Sequence, residues 1–149
     1  MALKFDPRST QWLGMRLIVL ASRYMQPLYA EIERRHALLR DESAVVTCLS
    51  ITTAVTAQQI VRYTGRPKNS ISRAVTALEA RGLLSRSAHP DDSRASHLRL
   101  TEAGAQLFTD IRADFAAADT RMLGVLSDEE QRQFGHLLSR VSEASVRWT

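Results

Sequence analysis

The sequence predicts a mainly α-helical chain with one small β-hairpin, an α+β fold. Three observations predict it. Apolar residues recur at three- and four-residue steps over residues 9–36, 101–123 and 127–149, the period of amphipathic helices. Between 56 and 82 a capping signal, a glycine turn and a second periodic run follow in close order, as in two helices joined by a short turn. LLSRS (83–87) and SHLRL (96–100) alternate apolar and polar residues, as half-buried strands do.

The chain is 149 residues long, 44% apolar and 24% charged, which suits one globular domain with a real core. No apolar run reaches the roughly 18 residues of a membrane span, and MALKFDPRSTQW lacks the apolar stretch of a signal peptide. A cytoplasmic location is expected. One cysteine excludes an internal disulfide framework.

Residues 9–36 read as a single long helix capped by Ser9 or Thr10. Trp12, Leu13, Leu17, Leu20, Tyr24, Leu28 and Ile32 form its apolar face, and Pro27 should bend or break it. At about 1.5 Å per residue it spans on the order of 40 Å. A domain of this size covers less than that, so part of the face should meet another chain. DESAVVTCLS (41–50) reads as a shorter helix, and the β-branched ITTAV after it as a brief strand or extended link. Thr56 with Gln59 makes a capping box. Gly65 ends that helix with Pro67 just beyond, and Asn69 to Arg81 forms the next, stopped by Gly82. The hairpin follows, joined by AHPDDSRA, so the helix pair carries a wing. Thr101 caps a long helix to about Leu123 with a stripe of Leu107, Phe108, Ile111, Phe115 and Met122. Ser127 and Glu130 make another capping box, and the last helix is expected to bury Phe134, Leu137, Leu138, Val141 and Trp148.

Charge and helix faces point to a polyanion partner. Residues 61–99 hold Arg62, Arg66, Lys68, Arg73, Arg81, Arg86, Arg94 and Arg99 against Glu79, Asp91 and Asp92, a local excess in a chain of net charge +4. On a wheel of about 100° per residue, Ile71, Ala74, Val75 and Leu78 share one face of the second helix. Asn69, Ser72, Arg73 and Thr76 lie opposite, with no acid among them. A short polar stripe of this kind suits the DNA major groove, where Asn pairs with adenine and Arg with guanine. Lys68 and Ser70, at the helix start, suit phosphate. Arg86 on the first wing strand and Arg94 in the wing loop add cations facing the same partner.

These residues carry a specific likeness. Thr64–Gly65, Ser70–Ser72–Arg73, Leu78–Glu79–Arg81–Gly82–Leu83, Asp92–Arg94 and Leu100–Thr101–Gly104 match in order the motifs of the MarR family, whose winged helix-turn-helix regulators this chain resembles over roughly residues 56–104. The resemblance implies a single domain over 1–149, with a DNA-binding lobe at 41–100 and dimerisation helices at 9–36 and 101–149. It implies a homodimer on a pseudo-palindromic operator, most often a repressor, released when a small effector binds. Arg94 would enter the minor groove, and Asp92 would steady the wing. The sequence departs from the family pattern at Pro27 and at RDESAV, which is more acidic than usual where some relatives line a ligand pocket.

Other chemistries find less support. Trp12, Tyr24, Tyr29 and Phe115 are candidates for an aromatic effector pocket, although aromatics on apolar stripes are more often core. Cys48 sits in an apolar run without a basic neighbour and reads as an inert thiol in preference to a redox sensor. His36, His89, His97 and His136 show no metal-ligand spacing with one another or with Cys48, so neither a metal nor another cofactor is expected. No nucleophile elbow or phosphate-cradling glycine loop is present, so an enzyme is not expected. The competing readings are a winged-helix module that binds protein without operator DNA, and a thiol- or metal-responsive regulator.

Overall fold

The computed structural model describes residues 6, 9–52, 55–88 and 96–145. Its order is α1 (Leu13–His36), α2 (Arg40–Ile51), α3 (Ala57–Thr64), α4 (Lys68–Ala80), β1 (Leu84–Ala88), β2 (Ser96–Leu100), α5 (Glu102–Leu123) and α6 (Asp128–Ser145). The chain divides into two compact units, residues 1–114 and 115–149. The mainly helical fold with a small two-stranded sheet is the one the sequence predicts.

α1 starts later than expected. Ser9 Oγ accepts a hydrogen bond from the Gln11 amide at 3.0 Å, and the helix begins behind Trp12, which has φ 62° and gives no side-chain cap. Of the bend or break expected at Pro27, the break does not occur: α1 runs through it for 24 residues. Proline removes one helical donor, and the bonds on either side carry the run past that single loss. Only the C-terminal half is tightly covered, with Leu28 and Ile32 buried.

α2 is the central element, with Glu42 to Val46, Cys48 and Leu49 buried. Glu42 reaches back to accept from the Leu39 amide at 3.0 Å, which satisfies one of the free donors of the first turn. The brief strand expected at ITTAV is reduced. Ile51 ends α2, Thr53 and Ala54 lie outside the described residues, and Val55 alone pairs with the wing, its carbonyl accepting from the Leu98 amide at 2.9 Å.

α3 starts on the expected box. Thr56 Oγ1 accepts from the Gln59 amide at 3.2 Å, and Gln59 Oε1 accepts from the Thr56 amide at 2.7 Å. Gly65 closes it at φ 66°, a conformation that costs glycine little, and its amide bonds the Val61 carbonyl at 2.9 Å. Two residues later Pro67 leads into α4. Leu84 pairs with Leu100 and Arg86 with Leu98 in the antiparallel wing.

The wing returns to the helices at a tight junction. Thr101 Oγ1 donates to the Gly82 carbonyl at 2.7 Å and accepts from the Gly104 amide at 3.1 Å, which caps α5. A Cβ on Gly104 would stand 2.0 Å from the Leu83 carbonyl oxygen, so this turn of α5 packs there only without a side chain.

Residues 1–114 hold most of the core: Leu28, Ile32, Leu38, Val45, Val46, Ile60, Ile71, Val75, Leu78, Leu98 and Ile111 are nearly inaccessible. In residues 115–149, α6 starts on the Ser127–Glu130 box, with Glu130 accepting from the Ser127 amide at 2.8 Å. The expected burial along α6 is not met. Leu137, Leu138 and Val141 are exposed in the single chain, Phe134 is half-buried, and Trp148 lies outside the described residues. Apolar periodicity marks a face suited to burial without fixing what covers it. Among the described residues, no helix is long and apolar enough to cross a membrane.

Candidate nucleic-acid interface

α4 buries Ile71, Ala74, Val75 and Leu78. That fixes its opposite face outward, and Lys68, Asn69, Ser72, Arg73 and Thr76 are exposed. Ser70 is half-buried, and its amide is taken by the Pro67 carbonyl at 3.0 Å. The amides of Lys68 and Asn69 therefore lead the helix, where its dipole favours an anion. Thr76 Oγ1 donates back to the Ser72 carbonyl at 3.1 Å, leaving its methyl and hydroxyl lone pairs outward.

The described cations of residues 61–99 sort into two groups. Three are engaged in building the lobe. Arg66, in the turn, pairs with Asp41 of α2. Arg81, at the end of α4, donates to the Ala37 carbonyl at 2.9 Å and to Glu42 Oε2 at 3.3 Å, tying α4 to the junction of α1 and α2. Arg86 is held by Glu79 at 2.7 Å, with both side chains about 40% exposed. A bridge so exposed contributes little to stability, on the order of 0–1 kcal/mol, and the guanidinium still sits on the wing. The second group, Arg62, Lys68, Arg73 and Arg99, makes no ion pair among the described residues. Among the described residues, fewer cations are without an ion pair than the sequence count suggests.

Two of these cations share a groove between α3 and α4. Gln58, Arg62, Lys68 and Ser72 line an open space of about 640 Å³. Sequence reasoning counted Arg62 only as charge and passed over Gln58. The signal was their four-residue spacing, which puts both on the face of α3 that Ile60 leaves free. The acids of RDESAV also find an explanation. Asp41 and Glu42 anchor Arg66 and Arg81.

A third polar cluster lies where α1 meets α5. Asp114, almost fully buried, receives Arg35 and His36, with His36 Nε2 at 2.7 Å. The His36 carbonyl in turn lies 3.5 Å from Arg81 Nη2. Asp114, His36, Arg81 and Glu42 therefore form one chain of polar contacts from α5 to the end of α4.

The wing residues Arg94, Asp92 and His89 lie outside the described residues. Two of the aromatic candidates, Trp12 and Tyr29, lie far apart along the first helix. Trp12 is exposed at the head of α1, roughly 25 Å along the helix axis from Tyr29 at about 1.5 Å per residue. Tyr24, Tyr29 and Phe115 are half-buried. The Arg40 guanidinium stands 5.2 Å over the Tyr29 ring, within cation–π range, and burial raises the Tyr29 phenol above its ordinary value, against the lowering pull of Arg40.

Cys48 is buried, and burial pushes its thiol up, away from the thiolate that redox sensing requires. Among the described residues, no group of three or more His, Cys, Asp or Glu side chains is placed to hold a metal ion.

Known proteins share this organisation. The HTH-type transcriptional regulator MhqR of Bacillus subtilis is 32% identical over 131 residues, spanning 86% of this chain and 90% of its own. A MarR transcriptional regulator from Methanosarcina mazei superposes with a TM-score of 0.83 over 94% of this chain and 100% of its own, at 18% identity. The PcaV regulator of Streptomyces coelicolor, solved in complex with its natural ligand, gives 0.64 over 97% and 99%, at 25% identity. Residues 45–95, from α2 into the wing, match the sequence model of the MarR family. With the capped helix pair, the outward stripe of α4 and the wing strands in place, this chain belongs to the MarR family of transcriptional regulators.

Proposed function

We propose that the chain is a sequence-specific double-stranded DNA-binding regulator that acts as a homodimer. The observation that carries this reading is α4: its apolar face is wholly buried, and Asn69, Ser72, Arg73 and Thr76 stand exposed in one acid-free stripe. In this reading α4 enters the major groove, with Asn69 and Arg73 on base edges. Lys68, Ser70 and Arg62 meet phosphates. Arg86 and Arg94 grip from the wing, which Asp92 steadies, and Arg94 enters the minor groove. The exposed apolar residues of α1 and α6 are covered by a second copy, and two-fold symmetry then matches a pseudo-palindromic operator.

The reading extends to repression relieved by a small effector. PcaV, similar in sequence and fold, was solved with its natural ligand, and Tyr24, Tyr29, Phe115 and Trp12 are the aromatic candidates for contact here.

A gel-shift titration at two salt concentrations tests the core of the proposal. Phosphate contacts release counterions, so affinity should fall steeply as salt rises. Complete absence of duplex binding at low salt would instead favour a winged-helix module that binds protein.

A further inference from the structure

We propose that Asp41 and Glu42, in the first turn of α2, are positioning residues: together they clamp α4 from both ends and so set how well it discriminates between DNA sequences. Arg66 stands two residues before α4, and Arg81 is its C-terminal cap residue. Arg66 pairs with Asp41, and Arg81 with Glu42. α4 is 13 residues long, on the order of 20 Å at about 1.5 Å per residue. Two neighbouring acids therefore hold arginines that flank opposite ends of one helix. The start of α2 lies over the middle of α4, where Leu39, Asp41 and Glu42 line a cleft with Ser70, Ala74 and Ala77. Those three small residues follow at four- and three-residue steps on one side of α4, which lets α2 approach between the two arginines.

Both grips are partly withdrawn from water. The Asp41 and Arg66 side chains are 28% and 21% exposed, and Glu42 is 9% exposed, so salt screens these pairs less than it screens a surface bridge. Glu42 also accepts from the Leu39 amide at 3.0 Å, which fixes its carboxylate against its own helix. Arg81 also donates to the Ala37 carbonyl at 2.9 Å, at the residue of φ 50° that ends α1. Arg81 thus joins α4 to α2 and to the end of α1 at once. Desolvation offsets much of the attraction in such pairs, so their contribution is geometry more than stability. Asn69 and Arg73 lie between the two clamped ends, and a binding constellation has to be held to within about 0.5 Å to work.

Charge alone gives these acids the opposite role. Carboxylates in a DNA-binding lobe repel phosphates, and their removal should tighten binding to any duplex without regard to sequence. A clamp predicts that the same removal tightens non-specific binding and degrades discrimination. Only the consequence for DNA rests on the reading of α4 as the helix that meets base edges. The orientation of α4 against α2 is measured without DNA, so failure of either reading is distinguishable from failure of the other.

The test opens the same two pairs from either side in the full chain. Asp41→Asn with Glu42→Gln removes the charge and keeps the shape, and the amide oxygen at position 42 still accepts from Leu39. Arg66→Gln with Arg81→Gln removes the cations instead. The probes are a duplex that the parent chain selects from a random-sequence library and a duplex of random sequence. The acid variant should bind the random duplex more tightly and the arginine variant less tightly. In both, the ratio of selected to random affinity should fall about tenfold or more, the scale of one lost base contact. Residual dipolar couplings of backbone amides, measured without DNA, should place α2 and α4 in one rigid arrangement in the parent and depart from it in both variants. Asp41→Asn alone serves in place of a double variant that does not fold. An unchanged affinity ratio in the folded variants, or couplings that keep the parent's arrangement, would overturn the clamp. A parent chain that selects no sequence would sink the operator reading, and the couplings would still decide the clamp.

Discussion

α4 and the first half of α1 are written in the same amphipathic code, yet one hides its apolar stripe and the other displays it. Ile71, Val75 and Leu78 are at most 1% exposed, whereas Trp12 is 68%, Ile18 62% and Leu17 46% exposed. α6 behaves like α1, with Leu137 at 56%. α4 finds its cover locally, in α2, α3 and the wing. The stripes of α1 and α6 find none in one chain. Apolar periodicity therefore specifies that a face will be covered and leaves open by whom. The contrast separates a lobe whose apolar stripe is covered within the chain from arm helices whose stripes stay exposed in it.

The largest effect should come from attacking the arms. Leu17→Glu sets an unpaired carboxylate in the face that dimerisation would bury, a loss of about 3–5 kcal/mol. The dissociation constant should rise by about two to four orders of magnitude. Sedimentation at micromolar concentration should show dimers for the parent chain and monomers for the variant. A parent chain that is already a folded monomer would remove the contrast altogether.

Leu78→Ala attacks the other side of the comparison. It empties a fully buried site beneath the outward stripe of α4, at a cost of roughly 2–5 kcal/mol. Urea denaturation should show the loss, with the midpoint lowered and the dimer retained in buffer. An unchanged midpoint would mean that α4 is not anchored as described.

Much of this lobe was legible in the sequence because its signals are local. The Thr56–Gln59 box, Gly65, the four buried positions of α4 and Thr101 with Gly104 each depend on residues a few positions apart. What escaped was tertiary. Arg66, Arg81 and Arg86 add to a count of positive charge, but only folding shows that Asp41, Glu42 and Glu79 hold them. Pro27 looks like a break in a sequence of short-range rules, and the long helix around it absorbs one missing bond. The burial expected on α6 failed because the spacing of apolar residues carries no information about which chain supplies the cover.

Arg73→Ala sharpens the functional half of the contrast and should leave stability unchanged, since the side chain is exposed and unpaired among the described residues. Operator affinity should fall by about 1–3 kcal/mol, more than affinity for random duplex. Arg94→Ala should weaken both and reduce the salt slope by about one unit. Reversal of that order would exchange the roles of base reader and wing clamp.

The smallest expected effect separates the two regions by pH. Both use a capping box, but the lobe's is neutral, Thr56 with Gln59, and the arm's is ionisable, Ser127 with Glu130. Backbone and hydroxyl hydrogen bonds from Ser127 hold the Glu130 carboxyl below its ordinary value. A carboxylate whose pKa is lowered by folding stabilises fully above its unfolded value, near 4.3, and loses that contribution as pH falls through the folded one. Acidification below that unfolded value should therefore weaken the bond to the Ser127 amide, whose partner loses its charge, while the Thr56 amide keeps its bond to Gln59. Amide exchange, corrected for the intrinsic effect of pH at each site, reads this directly. Protection at Ser127 should drop relative to Thr56 in the parent chain, and Glu130→Gln should abolish the difference, because an amide side chain accepts the same hydrogen bond at any pH.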